Sequence, residues 1–188
     1  IDLDALDHNL DLLFERFSRT GLTLRPASKS IRIPAVLKHV RKRGGARVAG
    51  LMTFSAYETA MLAKQGFDDL LVAYPISRPD AAEALAAVAA AGTRLLVSVD
   101  HADHVALLDR AAQDAGTTLG LCLDVDVSWR PLGGRAHFGV RRSPIRGAES
   151  ARAIGRVVAE ASHVELRAVL AYEAQVAGII LVPSRQPR

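Results

Sequence analysis

Cysteine is the scarcest chemistry-bearing residue in this chain. Cys122 stands alone among 188 residues, which excludes a disulfide framework and a cysteine-rich zinc site. Aromatic residues make up 5% of the sequence, too few for the stacking platforms on which single-stranded nucleic acids lie. Lysine is also rare, occurring at positions 29, 38, 42 and 64, so nearly all of the 24 basic residues are arginines. Long apolar runs are missing: the stretches from Ala84 to Ala91 and from Val176 to Val182 fall short of the roughly 18 to 20 residues a bilayer crossing needs. No signal-peptide pattern opens the sequence. These absences lead us to expect a cytoplasmic protein with no nucleic-acid and no membrane partner.

What is present is apolar and balanced in charge. Hydrophobic residues make up 49%, charged residues 23%, and the mean hydropathy of +0.15 excludes disorder. A chain of 188 residues buries about 70% of its unfolded surface, enough for one good core. The net charge is +4, with basic clusters at Arg41-Lys42-Arg43 plus Arg47 and at Arg141-Arg142 plus Arg146. Such clusters read as solvated faces or as contacts to phosphate and carboxylate groups.

Helical and strand-like periods alternate along the chain. The spacing predicts a helix over Asp4 to Arg19, acidic at its start and basic at its end as the helix dipole favours. Leu22 to Ala27 reads as extended, and Pro34 opens a helix that runs to about Arg43 before Gly44-Gly45 stops it. The unit then repeats. Strands are expected at Arg47 to Met52, Asp69 to Tyr74, Arg94 to Val99, Leu119 to Val125 and Leu166 to Tyr172. The intervening helices start at Ser55, Pro79, Asp100 and Gly147. Ser55 and Glu58 stand at capping-box spacing.

Six apolar strands separated by helices predict an α/β protein with an all-parallel sheet. Two architectures fit, a doubly wound open sheet and a (β/α) barrel of the TIM type. No glycine fingerprint follows the first strand, which disfavours a dinucleotide fold. A closed barrel has eight βα units in about 250 residues, so on the barrel reading this chain holds about six of the eight and is expected to be incomplete.

In either architecture the ligand lies at the carboxyl ends of the strands. The residues there include Ser28, Lys29 and Ser30, Thr53, Tyr74, Asp100 and His101, Asp124 and Asp126, and Tyr172, Glu173 and Gln175. Lys29 reads as a Schiff-base lysine, whose amine must be partly desolvated to attack near neutral pH, or as a solvated loop residue. Asp124 and Asp126 project toward one face and read as a metal or base-orienting pair, or as caps for nearby backbone amides. His101 and His104 stand at metal-compatible spacing without a third ligand, which favours a helix cap with solvated histidines. Cys122 reads as core.

The run RPASKSIR, Arg25 to Arg32, resembles the lysine-bearing first-strand segment of fold-type III pyridoxal-phosphate enzymes, the alanine racemase N-terminal-domain superfamily. Five more segments resemble that family in the right order. They are IDLDALDHN (Ile1 to Asn9), GFDDLLVAYP (Gly66 to Pro75), LCLDVDVSWR (Leu121 to Arg130), HFGVRRSP (His137 to Pro144) and LAYEAQVAG (Leu170 to Gly178). Within the superfamily the chain is most similar to bacterial amino acid deaminase/aldolase proteins and to the D-threonine aldolase and D-serine dehydratase branch.

The resemblance implies pyridoxal 5'-phosphate as cofactor, Lys29 as the residue that binds its aldehyde and then acts as base, and an amino acid as substrate. It implies a lyase, with an amino-acid racemase or a non-enzymatic pyridoxal-phosphate homeostasis protein as alternatives. The resemblance also implies cofactor-facing positions for Tyr74 and Tyr172, with a plain barrel-rim tyrosine as the other reading of Tyr172. Where the racemase pattern has an arginine before its hydrophobic-Gly-Val step, this chain has His137. His137 is therefore a candidate cofactor contact and Arg141 a candidate anion contact for the substrate. The expected domain is a partial barrel over 1–178 followed by an unrelated tail over 179–188. The family's C-terminal β-domain, most of its phosphate site and its metal ligands are expected only in a longer, homodimeric protein, so no metal residue is assigned.

Overall fold

The structure, a computed structural model, describes residues 1–176. The expected domain limit at 178 and the tail at 179–188 lie outside the described residues. Among the described residues three α-helices precede five β-strands, which then alternate with four more helices: α1 (Leu3–Phe17), α2 (Ser28–Ile31), α3 (Pro34–Gly44), β1 (Leu51–Thr53), α4 (Ala56–Lys64), β2 (Asp69–Val72), α5 (Pro79–Ala90), β3 (Arg94–Val99), α6 (Ala102–Asp114), β4 (Leu119–Val125), α7 (Ala148–Glu160) and β5 (Val164–Ala171).

The strands form one sheet in the order β1-β2-β3-β4-β5, and every pairing is parallel. Spatial order follows chain order with no reversal. A doubly wound sheet reverses direction at a switch point, so of the two expected architectures this topology matches an arc of a (β/α) barrel. Among the described residues the arc does not close.

Strand chemistry explains the layering. Side chains alternate between the two faces of a strand, and Leu70, Val72, Val97, Val99, Leu119 and Leu121 all turn to the helices, where they pack with Leu62, Leu85 and Leu108. The opposite face carries Cys122 and the buried polar residues Ser98 and Asp124 instead. Cys122 is 1% exposed, and burial pushes its thiol pKa up to about 11. A smaller cluster of Leu10, Phe14, Val40 and Val48 fastens α1 to α3.

The expected first strand, Leu22 to Ala27, is reduced to two parallel bridges, Leu24 with Val48 and Ala27 with Met52. Pro26 lies between them and has no N–H to extend the ladder; its carbonyl accepts from Met52 N at 2.9 Å. The other elements match the sequence reading to within a few residues. Leu119–Val125 coincides with it, whereas the expected strand at Arg47 to Met52 is shortened because Gly45–Arg47 form a 3-10 turn.

Gly50 anchors the amino end of this arc. Its φ of +90° is a left-handed conformation, and a Cβ placed on it would lie 2.1 Å from the Asp69 carbonyl oxygen. The close approach puts Arg25 against Asp69, with an ion pair of 2.8 Å. Asp69 also faces Arg94 at 3.5 Å, and Arg167 pairs with Glu165 on β5.

Candidate active site

At the carboxyl end of the strands a cavity of about 350 Å³ opens between the first segment and β5, lined by Lys29, Phe54, Tyr74, Arg142 and Tyr172 among others. Three of the five site residues expected from the sequence therefore meet here: Lys29, Tyr74 and Tyr172. Lys29 is the second residue of α2 rather than part of a loop. The turn ends at Arg32, whose φ of 52° is strained for a residue with a side chain. The Arg32 guanidinium donates to the Lys29 carbonyl at 3.1 Å.

The Lys29 amine donates to the Tyr74 hydroxyl at 3.1 Å and lies 5.6 Å from the centre of that ring. Lys29 is an exposed residue, and the Tyr74 phenol is the polar partner of its amine. The same contact acts on Tyr74. The adjacent Lys29 ammonium, opposed by partial burial and assisted by Arg142, holds the phenol pKa below the usual tyrosine range. No acidic side chain pairs with Lys29 among the described residues.

Arg142 is the residue that sequence reasoning missed. Its Nε donates to Asp124 Oδ2 at 2.7 Å, and its Nη2 donates to the Ala73 carbonyl. The guanidinium lies 4.9 Å from the centre of the Tyr74 ring. A buried carboxylate requires a cation, and Asp124, fully buried on β4, supplied the signal that could have found this partner. Burial pushes the Asp124 carboxyl above the usual range despite Arg142, and the nearby Asp100 and Asp126 add to the effect.

The neighbouring candidates lie elsewhere. Arg141 is exposed, and neither it nor His137 lines the cavity. The His137 ring donates through Nε2 to the Gly139 carbonyl at 3.0 Å, which fixes a loop where Trp129 stacks on Phe138 at 5.0 Å. Asp126 caps the Ser128 amide at 2.8 Å and accepts from Arg130, the capping alternative read from the sequence. Burial works against its ionisation, but the Ser128 bonds, with Arg130 and Arg146, outweigh it and hold the carboxyl below the usual range. His101 is the exposed N-cap of α6, accepting from Asp103 N at 3.2 Å. His104 is mostly buried rather than solvated, and its Nδ1 lies 3.0 Å from Asp100. No cluster of three or more metal-binding side chains occurs among the described residues.

Glu58 serves the site from behind. Ser55 accepts from Glu58 N at 3.2 Å, as a cap should. The Glu58 carboxylate, however, does not return to the Ser55 amide: its Oε2 accepts from Phe54 N at 3.1 Å and from the Ser28 hydroxyl at 2.9 Å.

Comparison with known proteins places this fold in a family. Over 173 residues the chain is 26% identical to a 3-hydroxy-D-aspartate aldolase of Paracoccus denitrificans, a match covering 92% of this chain and 41% of that protein. Its fold is similar to D-threonine aldolase from Filomicrobium marinum, with a TM-score of 0.73 and 23% identity over 90% of this chain and 42% of the other. It is also similar to D-threo-3-hydroxyaspartate dehydratase from Delftia sp. HT23, with a TM-score of 0.71 and 22% identity over 91% and 41%. The chain thus spans about two fifths of the length of the curated relative it matches. Residues 1–177 match the family described as alanine racemase, N-terminal domain, and the chain belongs to that family.

Proposed function

We propose that this chain carries the lysine-bearing part of a pyridoxal-phosphate-dependent lyase that cleaves D-amino acids bearing a 3-hydroxyl group, by retro-aldol cleavage or by elimination of water. One observation carries the reading: Lys29, without an acidic partner among the described residues, meets the Tyr74 hydroxyl at 3.1 Å in a cavity at the catalytic end of a barrel arc. The aldolase name of the 26%-identical relative supports a lyase over the racemase alternative.

The side chains present fit the cofactor. An amine stands ready for an aldehyde, Arg142 offers positive charge to an anionic aromatic ring, and Tyr74 and Tyr172 offer flat walls. Pyridoxal phosphate, when bound, supplies an electron sink for the carbon whose bond breaks. Lys29 Nζ would hold the aldehyde and, once displaced from it by the substrate amine, would stand where it can take or return the substrate proton. Tyr74, its ionisation eased by Lys29, holds that proton at the Nζ–Oη contact. Arg142, rather than Arg141 or His137, meets the anionic group, because Asp124 and the Ala73 carbonyl fix its orientation. A guanidinium so held loses little freedom when it binds.

The test is incubation with D-threonine, D-3-hydroxyaspartate and L-alanine, assaying aldehyde, ammonia or keto acid, and inverted enantiomer, alongside borohydride trapping of the cofactor on the protein. Lys29→Ala is expected to abolish product and to remove the label trapped at position 29, leaving only the background label on Lys38, Lys42 and Lys64. Label retained at wild-type level in Lys29→Ala removes Lys29 from its role, and inversion of L-alanine without cleavage of the D-substrates overturns the lyase reading.

A further inference from the structure

The turn that carries Lys29 is too short to hold itself. An isolated helix of four residues is far below the length at which hydrogen bonding repays nucleation, and α2 is four residues long with an N-cap, Ala27, that contributes no side-chain bond. Its strained Arg32 exit adds a cost. Tertiary contacts must therefore fix its position. The polar contact that does so comes from Ser28, 1% exposed, whose hydroxyl donates to Glu58 Oε2 at 2.9 Å. The same oxygen accepts from Phe54 N at 3.1 Å. Lys29 and Phe54 both line the cavity, so one oxygen on α4 joins the two chain segments that form one side of its mouth.

We propose that Glu58, acting through Ser28, is the positioning residue for Lys29. It holds α2 against the segment after β1, so that the amine reaches across to the Tyr74 hydroxyl. The proposal rests on the assignment of Lys29 as the aldehyde-binding residue. Glu58 stands at capping-box spacing from Ser55, yet its carboxylate leaves the Ser55 amide to bond Phe54 and Ser28. Reaching Ser28, 30 residues away, contributes nothing to capping α4, and a side chain diverted from its local partner to the lysine turn is placed for that turn. The required property is an acceptor oxygen at this point rather than a negative charge, because both partners are neutral donors.

The four lysines make the test internal to one molecule. The full 188-residue chain is treated with pyridoxal 5'-phosphate, and the bond is reduced with borohydride. The lysine amine condenses with the aldehyde, one water leaves, and hydride reduces the resulting C=N bond to a stable secondary amine. Peptide mass spectrometry then gives the initial labelling rate at Lys29 relative to Lys38, Lys42 and Lys64. Displacing a reacting group by about 1 Å can cost on the order of 100-fold, so Glu58→Met and Ser28→Ala are each expected to lower the Lys29 ratio by at least about fivefold. Glu58→Gln, which keeps an acceptor oxygen, should stay within about twofold of wild type, and the Glu58→Met/Ser28→Ala double variant should fall no further than the worse single one.

Loss of fold exposes all four lysines together and also erases the Lys29 preference, so the ratio is read only for variants whose circular dichroism matches that of the wild type. If Glu58→Met does not fold, Ser28→Ala, which removes one oxygen and leaves the backbone intact, decides. A wild-type Lys29 ratio in folded Ser28→Ala and Glu58→Met overturns the positioning role while the Lys29 assignment stands. Absence of any Lys29 preference in the wild-type chain brings down both.

Discussion

The two ends of the sheet use the same residue types to opposite effect. At the amino end Arg25 and Arg94 share Asp69, and Arg167 has Glu165, so each guanidinium there has a carboxylate within reach. At the carboxyl end Asp124 holds Arg142 by one edge and orients it toward the cavity, while Lys29, with no acid of its own among the described residues, turns to a phenol. Charge balanced in place holds a structure together. Charge without a local counterpart, set in a cavity, is available to a ligand. Barrel enzymes divide their ends in the same way, stability below and chemistry above.

The comparison breaks first at its acids. Removing one partner of a buried ion pair typically costs about 3–5 kcal/mol because the other charge is stranded. Asp124→Ala, which strands Arg142 at 17% side-chain exposure, is expected near that range in urea denaturation. Asp69→Ala strands a more accessible Arg25, at 23%, beside an exposed Arg94, and should cost roughly 1–3 kcal/mol. If Asp69→Ala proves the costlier of the two, the amino end carries more buried charge than its geometry indicates.

A second contrast sharpens the chemistry. Tyr57 donates to Asp80 at 2.5 Å, and that carboxylate raises its pKa, whereas Lys29 and Arg142 lower that of Tyr74. Ultraviolet titration of phenolate from about pH 8 to 12 should show Tyr74 ionising before Tyr57. Lys29→Met should move the Tyr74 midpoint upward and leave Tyr57 where it was. An unmoved Tyr74 midpoint contradicts the 3.1 Å contact as the source of the shift. The smallest effect belongs to Arg94, 77% exposed, where Arg94→Gln should change stability by no more than about 0.5 kcal/mol.

How far the sequence reading reached depended on the range of the signal. Strands such as Leu119–Val125 and the helix opening at Pro79 announce themselves by period and punctuation, which are local. Lys29 stood out because lysine is rare, but its one-turn helix is too short to show a period. Arg141, expected to contact the anion, does not line the cavity whereas Arg142 does: a loop has no alternation to tell which side chain points inward. The choice falls to Arg142 because of Asp124, 18 residues away. Glu58 showed its capping spacing with Ser55 and hid its long-range bond to Ser28, 30 residues away. What the sequence left unread at Arg142 and Glu58 was in each case a contact between distant segments.

Cys122 gives the molecule a built-in reporter. As the one thiol in the chain, buried mid-sheet with its ionisation disfavoured by that burial, it resists modification while β4 stays between its neighbours. A thiol-reactive probe added to the unmodified protein would therefore clock sheet opening directly, with no engineered cysteine and no second thiol to confuse the trace. Repeating the measurement with ligand present would convert protection of that thiol into an affinity, since a ligand that binds only the folded state slows its exposure in proportion to occupancy.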